Sequence, residues 1–286
     1  MNSVIFVAER TEKLLTMLRG RSVVASANSL EEMRQLCETA RGLDIDVHCV
    51  QLHTRAPLAS LQLRKEEGFL PIALFPSQMG RLQDLVRILP VLRALNVRVY
   101  LPANDAEQLK SVRILASLGI HCAVLLEGEG VLWGLLTDLM TYALLGLAPH
   151  ATIEPFQLIC GNYDPRYRTA FDAVYFDDPE TYLHVNEQGG VALTRADLRA
   201  GRLIAATIEE ATETVRSAAH DAYCDSWKDH FLARTKCASC PGWRVCVGRF
   251  APVTDAEPDC SAFFAEMMDV IDRHHEGQKK ASVWLP

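Results

Sequence analysis

Short apolar runs alternate with helical patterns over the first half of the chain, from residue 3 to about residue 160. Between the runs, apolar residues such as Leu30, Met33 and Leu36 recur at helical spacing. This alternation predicts an α/β fold with a parallel sheet, arranged as an open or closed βα barrel. The runs predicted as strands lie at residues 23–25, 47–51, 71–75, 97–101 and 122–126.

Boundary signals support the predicted helices. Ser29 lies three positions before Glu32, which is the pattern of a capping box at a helix start. Asp105 can cap the helix after the run at 97–101, and Gly119 can end it. Pro90 predicts a kink or an end in the helix before that run, because proline lacks the N–H that a helix interior uses.

One segment resembles a membrane span in composition. Residues 131–148 are apolar apart from Thr137, Asp138 and Thr141, but glycines and a central carboxylate interrupt them. A length of 18 residues is the lower limit for crossing a bilayer. We therefore expect a buried helix and no association with a membrane.

The sequence changes character after Pro155, where aromatic and charged residues replace the βα alternation. Residues 182–186 and 191–194 flank Gln-Gly-Gly, which predicts a β-hairpin. Helices are predicted over residues 205–219 and 262–274. These signals place a domain boundary near residue 180, giving a barrel domain over residues 1–180 and a small cysteine-rich domain over residues 181–286.

Composition and charge indicate a globular protein that does not bind nucleic acid. The chain has 286 residues, 49% of them hydrophobic and 23% charged, which is typical of a globular protein. A net charge of -7 supplies no attraction for a phosphate backbone, so we expect no nucleic-acid binding. No signal peptide is visible at the start of the sequence, which indicates a cytoplasmic protein. In that reducing compartment, closely spaced cysteines are more typical of metal ligands than of disulfides.

Four of the nine cysteines have the spacing of a metal centre. Three of them form a C-x2-C-x5-C pattern beside a Pro-Gly turn, and the fourth follows after a gap of thirteen residues. Thiolates favour zinc or iron–sulfur clusters over hard cations, and spacing alone leaves both open. The competing interpretation is that these cysteines pack as small apolar residues. The predicted ligands are Cys237, Cys240, Cys246 and Cys260.

These residues resemble the SPASM extension of radical SAM enzymes. Residues 182–201 (YLHVNEQGGVALTRADLRAG), the helical segment after them and CASCPGWRVCVGRF at residues 237–250 are similar to that extension. Thr194 and Phe250 stand where the family has two cysteines that serve the auxiliary cluster nearer the active site. The four remaining cysteines match the ligands of the outer auxiliary cluster. The resemblance therefore implies one 4Fe-4S cluster, with zinc as the alternative, and a partial βα barrel of the radical SAM type.

The resemblance does not extend to the catalytic motif. Radical SAM enzymes hold their catalytic cluster with C-x3-C-x2-C near the start of the barrel, and this sequence has no such pattern. Its early cysteines are isolated, with Cys37 on a predicted helix and Cys49 and Cys122 in predicted strands. The resemblance thus implies a degenerate member of the family that does not cleave SAM.

Two functional interpretations follow. The first is an accessory or binding protein that works beside a catalytic radical SAM protein, a precursor peptide or both, in maturing a peptide or a peptide-derived cofactor. The alternative is a redox enzyme or electron carrier that uses the single cluster, or a zinc-stabilised binding protein. The hairpin at 182–194 offers an edge to which a peptide can add a strand, unless that edge is covered within the molecule. Asp177 and Asp178 are expected in a solvated loop, and His184 is expected to be a satisfied or solvated histidine rather than a ligand.

Overall fold

A nine-stranded sheet organises the chain. The computed structural model describes residues 4–9, 11–67, 70–126, 130–164, 166–169, 171–233, 235–247, 250 and 260–283. The strands are β1 (Ile5–Ala8), β2 (Ser22–Ala27), β3 (Asp46–Thr54), β4 (Ile72–Pro76), β5 (Val97–Pro102), β6 (His121–Leu125), β7 (Ile153–Glu154), β8 (Tyr182–Val185) and β9 (Val191–Ala192).

The strand order is β7-β6-β5-β4-β3-β2-β1-β8-β9. Neighbouring strands pair in parallel, except for the antiparallel pair β8 and β9. From β1 to β7 each strand lies beside the one before it, without the reversal of a doubly wound fold. Because such crossovers are right-handed, their helices fall on one face of the sheet. In the described chain β7 and β9 are opposite ends of the order, so the sheet is open.

The helices cover the apolar face of the sheet. Helix α2 contacts β2 and β3, and α4 contacts β5 and β6. Leu74, Val99 and Leu101 are completely buried, and burying each such side chain stabilises the fold by about 1.5–3 kcal/mol. The helices are α1 (Thr11–Leu14), α2 (Leu30–Gly42), α3 (Leu82–Ala94), α4 (Ala106–Ser117), α5 (Trp133–Leu145), α6 (Phe156–Asn162), α7 (Arg195–Arg199), α8 (Glu213–Ala233), α9 (Thr235–Ser239), α10 (Trp243–Cys246) and α11 (Ser261–Val283).

The predicted caps are present. Oγ of Ser29 accepts a hydrogen bond from the N–H of Glu32 at 3.1 Å, and Oδ1 of Asp105 accepts from two N–H groups of α4. Gly119 follows α4 with a φ of +79°, a conformation that glycine adopts without strain. Helix α3, however, continues through Pro90. The carbonyl that proline leaves without its helical partner is that of Val86, an exposed residue, so water can bind it.

The second half of the chain is joined to the sheet. The hairpin of β8 and β9 is present as predicted, and β8 extends the parallel sheet beyond β1. The predicted helix over 205–219 is wrong in its first part, because α8 begins at Glu213 and Ala205 bridges Val191 in β9. The boundary near residue 180 stays a prediction, although the hairpin shares its sheet with the preceding strands.

The apolar segment at 131–148 forms α5, which has a buried side formed by Leu136, Leu139, Met140 and Ala143. The C-terminal helix α11 packs against it. Within the described residues, no helix has both the length and the apolar character needed to cross a membrane.

Candidate binding face and cysteine region

A row of rings crosses three neighbouring strands. His53 pairs in register with Phe75, and their rings stack with centroids 4.4 Å apart and planes at 14°. Phe75 in turn stacks on Tyr100 of β5 at 4.6 Å and 23°. Side chains alternate along a strand, so rings in register on adjacent strands share one face. We call this the aromatic face of the sheet, defined by His53, Phe75 and Tyr100.

Residues 171–178, the crossing segment, are bonded to this part of the sheet. The hydroxyl of Tyr100 donates to the carbonyl of Val174 at 2.8 Å, and the hydroxyl of Tyr175 donates to the carbonyl of Val124 in β6 at 2.7 Å. The ring of Phe176 lies 6.5 Å from that of Tyr100. Tyr100 and Tyr175 are almost completely buried. The chain itself therefore covers part of the aromatic face.

An acidic residue ties the crossing segment to the hairpin and to α7. Oδ1 of Asp177 lies 2.9 Å from Nε2 of His184 and accepts the N–H of Arg195 at 2.8 Å. The side chain of Arg195 donates to the carbonyl of Tyr175 at 3.0 Å. His184 is 1% exposed, so it is not solvated, and although its Nε2 lies close to Asp177, that atom makes no well-aligned hydrogen bond within the described residues.

The expected solvated loop at Asp177 and Asp178 is wrong, since both residues are buried. Their carboxylates have partners inside the protein, and these interactions offset the free-energy cost of removing the charges from water. Asp177 faces His184, and Oδ2 of Asp178 accepts from the hydroxyl of Thr181 at 3.3 Å. Burial nevertheless raises the pKa of Asp178 above its ordinary value.

An open cleft lies at the carboxyl ends of β2, β3 and β4. It has a volume of about 950 Å³, and its lining includes Asn28, His53, Arg55, Phe75 and Ser77. Most ligands of parallel α/β sheets bind at this end of the strands, because the loops there are free to carry polar groups. The cleft thus combines a flat aromatic surface with side chains that can form hydrogen bonds.

The imidazole of His53 is neutral at physiological pH. Burial lowers its pKa to about 4, and the positive charge of Arg195 acts in the same direction. The side chain of His53 is nevertheless exposed on the side of the cleft, so the protein around the ring lowers its pKa while the ring stays accessible to a ligand. A neutral imidazole offers one donor and one acceptor to a ligand.

The sequence interpretation did not identify this cleft. The predicted strand at 47–51 stopped short of His53, whereas β3 runs to Thr54. The available signal was the alternation of Cys49, Gln51 and His53 along the strand, which places all three on one face.

The four predicted cysteine ligands lie in two segments. Cys237 is in α9, and its carbonyl accepts the N–H of Cys240 at 3.1 Å, which forms a tight turn. Cys246 ends α10 and is buried, as is Cys260, which directly precedes α11. Within the described residues, no group of three or more His, Cys, Asp or Glu side chains is arranged to hold a metal ion. The ligand set stays a prediction.

One contact joins the two cysteine segments. A Cβ placed on Gly242 would lie 2.5 Å from Cβ of Phe264, so only glycine fits against this helix. Phe264 lies one helical turn after Cys260, and its N–H donates to the carbonyl of that residue at 3.1 Å. The donor chemistry fits a soft metal centre, and this contact holds the loop before Cys246 against the start of α11.

The two positions where the resemblance expected further cysteines have structural roles. The ring of Phe250 packs among Trp133, Phe171 and Phe264, with centroids 5.6, 6.2 and 5.9 Å away. Thr194 is the buried N-cap of α7, where its hydroxyl accepts the N–H of Asp197 at 3.1 Å. Both residues fill or cap the structure at these positions.

The early cysteines are separated, as the sequence predicted. Cys37 is in α2, Cys49 in β3 and Cys122 in β6, and all three are buried. Burial raises the pKa of all three thiols, that of Cys49 to about 12. Since the thiolate is the form that binds metals, this environment disfavours metal ligation by these residues.

The hairpin does not offer the edge that was expected. Strand β8 pairs with β1 on one side and with β9 on the other. On the far side of β9, the N–H of Val191 donates to the carbonyl of Ala205 at 2.9 Å, and its carbonyl accepts the N–H of Ile204 at 2.8 Å. The edge is therefore covered within the molecule, and Val185 is not available for strand addition by a peptide.

The fold is similar in part to two solved structures. No protein-family model matches the sequence, and no curated protein is significantly similar to it. Two crystal structures of SuiB from Streptococcus suis, one bound to S-adenosylmethionine, are similar at 13% identity and a TM-score of 0.41. The match covers 69% of this chain and 61% of the SuiB chain. A likeness at this level says nothing about the chemistry of the present chain.

Proposed function

We propose that this chain is a SAM-inactive, radical SAM/SPASM-like iron–sulfur protein. It acts as an accessory or binding partner of a catalytic radical SAM protein, a precursor peptide or both, in the maturation of a peptide or a peptide-derived cofactor. The observation that carries the proposal is that the crossing segment lies over the aromatic face. Its hydrogen bonds from Tyr100 and to Val124 cover part of the aromatic face with the chain's own residues.

The proposal that SAM is not cleaved rests on residues in the first half of the chain. Cys37, Cys49 and Cys122 are buried on three separate elements, and their pKa values are raised. A site for SAM on an open iron needs three thiolates on one cluster, and these thiols do not supply them. The sheet is retained as a scaffold for binding, which accounts for the entropic cost of ordering so long a segment.

The proposed cofactor is one 4Fe-4S cluster. Phe250 and Thr194 have structural roles at the positions of the absent cysteines, which supports a single remaining cluster. When bound, the cluster would link the cysteine loop to the start of α11 through its thiolate ligands. The proposed ligands are Cys237, Cys240, Cys246 and Cys260.

The proposed contact for a partner is the cleft at the carboxyl ends of β2, β3 and β4. The covered hairpin edge excludes strand addition at Val185, whereas the cleft is open and about 950 Å³ in volume. An extended peptide can lay an apolar side chain on Phe75 and form hydrogen bonds with His53 and Asn28. Arg55 is exposed beside them and can pair with an acidic group.

The experiment has a chemical part and a binding part. Protein purified without oxygen is analysed for iron, sulfide and zinc, then reduced and incubated with SAM. We expect about four irons and four sulfides per chain and no 5′-deoxyadenosine above a control without protein. One zinc per chain would reject the cluster, and nucleoside produced in proportion to protein would reject the SAM-inactive assignment.

The binding part uses the radical SAM enzyme and the short precursor peptide encoded nearest to this chain, each produced separately. Retention of both on the immobilised protein is compared between Arg55→Glu and Arg87→Glu, a charge reversal at an exposed position of α3. We expect several-fold weaker retention only for Arg55→Glu, because reversing a charge beside a contact repels the partner. Equal retention by both variants would reject the cleft, and no retention by the unmodified protein would reject the accessory role.

A further inference from the structure

A second cavity lies at the opposite end of the sheet. It has a volume of about 510 Å³ and is formed at the amino ends of the strands, where Ile72 begins β4 and His121 begins β6. It shares no lining residue with the carboxyl-end cleft. Its size is that of a site for a small molecule.

One cation in this cavity is incompletely bonded. The Nε of Arg98 in β5 is buried and has no hydrogen-bond partner in the described part of the chain. The Nη2 atom of Arg98 lies 4.0 Å from Oε1 of Glu154 in β7, which is too long for a hydrogen bond. Arg98 also forms a hydrogen bond with the hydroxyl of Tyr100. Since a guanidinium has five donors, Arg98 retains capacity for an anionic group.

An anion faces the same space. The carboxylate of Glu154 is largely buried, and its other oxygen, Oε2, accepts the N–H of Leu158 at 2.9 Å. Oε1 is left opposite Arg98 at 4.0 Å. A positive and a negative group at this separation can each bind the opposite charge of one zwitterion, because the carboxylate and ammonium of an α-amino acid are attached to the same carbon.

Aromatic rings form the apolar wall. Tyr100, Phe176 and Tyr182 line the cavity, and the ring of Phe176 lies edge-on to that of Tyr182 at 5.8 Å. Phe176 has a φ of +58°, an unfavourable conformation for a residue with a bulky side chain. Backbone strain of this kind concentrates at functional sites, and here it accompanies the ring that faces the cavity.

We propose that this amino-end cavity binds a free aromatic α-amino acid. Its carboxylate would pair with Arg98, its ammonium with Glu154, and its ring would pack against Phe176 and Tyr182. This assignment is independent of the function proposed for the carboxyl-end cleft, because the two sites share no residue.

Calorimetry with three probes tests the assignment. The probes are L-phenylalanine, 3-phenylpropionate, which lacks the ammonium, and phenethylamine, which lacks the carboxylate. We expect L-phenylalanine to bind most tightly and each of the others to bind about 10-fold to 100-fold more weakly, as for the loss of one hydrogen-bonded charge. No heat of binding for L-phenylalanine, or equal affinities for all three probes, would overturn the proposal.

Two variants locate the site. Arg98→Gln should lower the affinity for L-phenylalanine by about 10-fold or more. The control Arg87→Gln, at an exposed position of α3, should leave that affinity unchanged. Glu154→Gln should abolish the preference for L-phenylalanine over 3-phenylpropionate. The Glu154 variant provides the test if the Arg98 variant does not fold. Unchanged affinity in a folded Arg98 variant, or unchanged preference in the Glu154 variant, would overturn the assignment.

Discussion

The crossing segment can be tested by removing one hydroxyl group. Tyr175 is 1% exposed, and its hydroxyl donates to the carbonyl of Val124 in β6 at 2.7 Å. Tyr175→Phe removes this bond and retains the ring, which packs edge-on against Phe171 at 5.9 Å. The change in stability therefore reports on the hydrogen bond that holds the segment to the sheet.

The expected loss follows from the burial of both atoms. A typical buried hydrogen bond contributes about 0.5–1.5 kcal/mol, and a buried carbonyl that loses a partner can add to that cost. We expect Tyr175→Phe to lower the free energy of unfolding by about 1–2 kcal/mol. Adding Tyr100→Phe also removes the hydrogen bond from the hydroxyl of Tyr100 to the carbonyl of Val174, the residue before Tyr175 in the segment. The double variant should lose about 2–4 kcal/mol if the two bonds act independently.

Urea unfolding at neutral pH is the measurement, with Tyr167→Phe as the matched control. Tyr167 is 65% exposed, so loss of its hydroxyl should change stability by less than about 0.5 kcal/mol. In Tyr175→Phe, the amides of residues 171–178 should exchange their hydrogens faster. The urea m-value should stay unchanged, because the surface exposed on unfolding is the same. If Tyr175→Phe unfolds at the same urea concentration as Tyr167→Phe, the hydroxyl does not anchor the segment, and the argument from burial is wrong.

Three further predictions concern other parts of the molecule. Because the pKa of His53 is about 4 in the folded state, against about 6.5 in the unfolded chain, stability should fall as the pH decreases from about 6.5 to about 4. We expect this loss of stability to be about 1 kcal/mol, because the solvent exposure of His53 reduces the effect of its shifted pKa. If the stability of His53→Gln depends on pH in the same way as that of the unmodified protein, the prediction is wrong. Gly242→Ala should destabilise the protein by about 1–3 kcal/mol in thermal unfolding, because the added methyl would overlap Phe264, whereas Gly134→Ala, where the methyl would meet nothing within 4 Å beyond its own stretch of helix, should not. Cys240→Ser should reduce the iron content of anaerobically purified protein, whereas Cys122→Ser should not, and equal iron in both would show that the ligand assignment is wrong.

The helices and inner strands could be predicted because local patterns determine them. Ser29 and Asp105 cap helices through bonds to residues within three positions along the chain, so spacing alone reveals them. The helix over 205–219 was partly wrong for the opposite reason, since residues 204 and 205 bond instead to Val191 of β9. That pairing joins segments that no local pattern relates to each other.

The site residues show the same division. The spacing of the four cysteines is visible in the sequence, whereas the stack of His53, Phe75 and Tyr100 depends on the register of three strands. The acidic residues at 177 and 178 look solvated in isolation. They are buried because the N–H of Arg195 and the hydroxyl of Thr181 donate hydrogen bonds to their carboxylates.

The position of β1 has a consequence for synthesis of the chain. Strand β1 lies between β2 and β8, and its register with β8 pairs Ile5 with Tyr182. A ribosome adding about 5–20 residues per second needs roughly 10–35 s to make the intervening segment of about 180 residues. Throughout that interval one side of β1 presents unsatisfied N–H and C=O groups, which can pair with other chains. Until β8 has been made, β1 is therefore an edge strand, whereas in the finished protein it is an inner strand of the sheet.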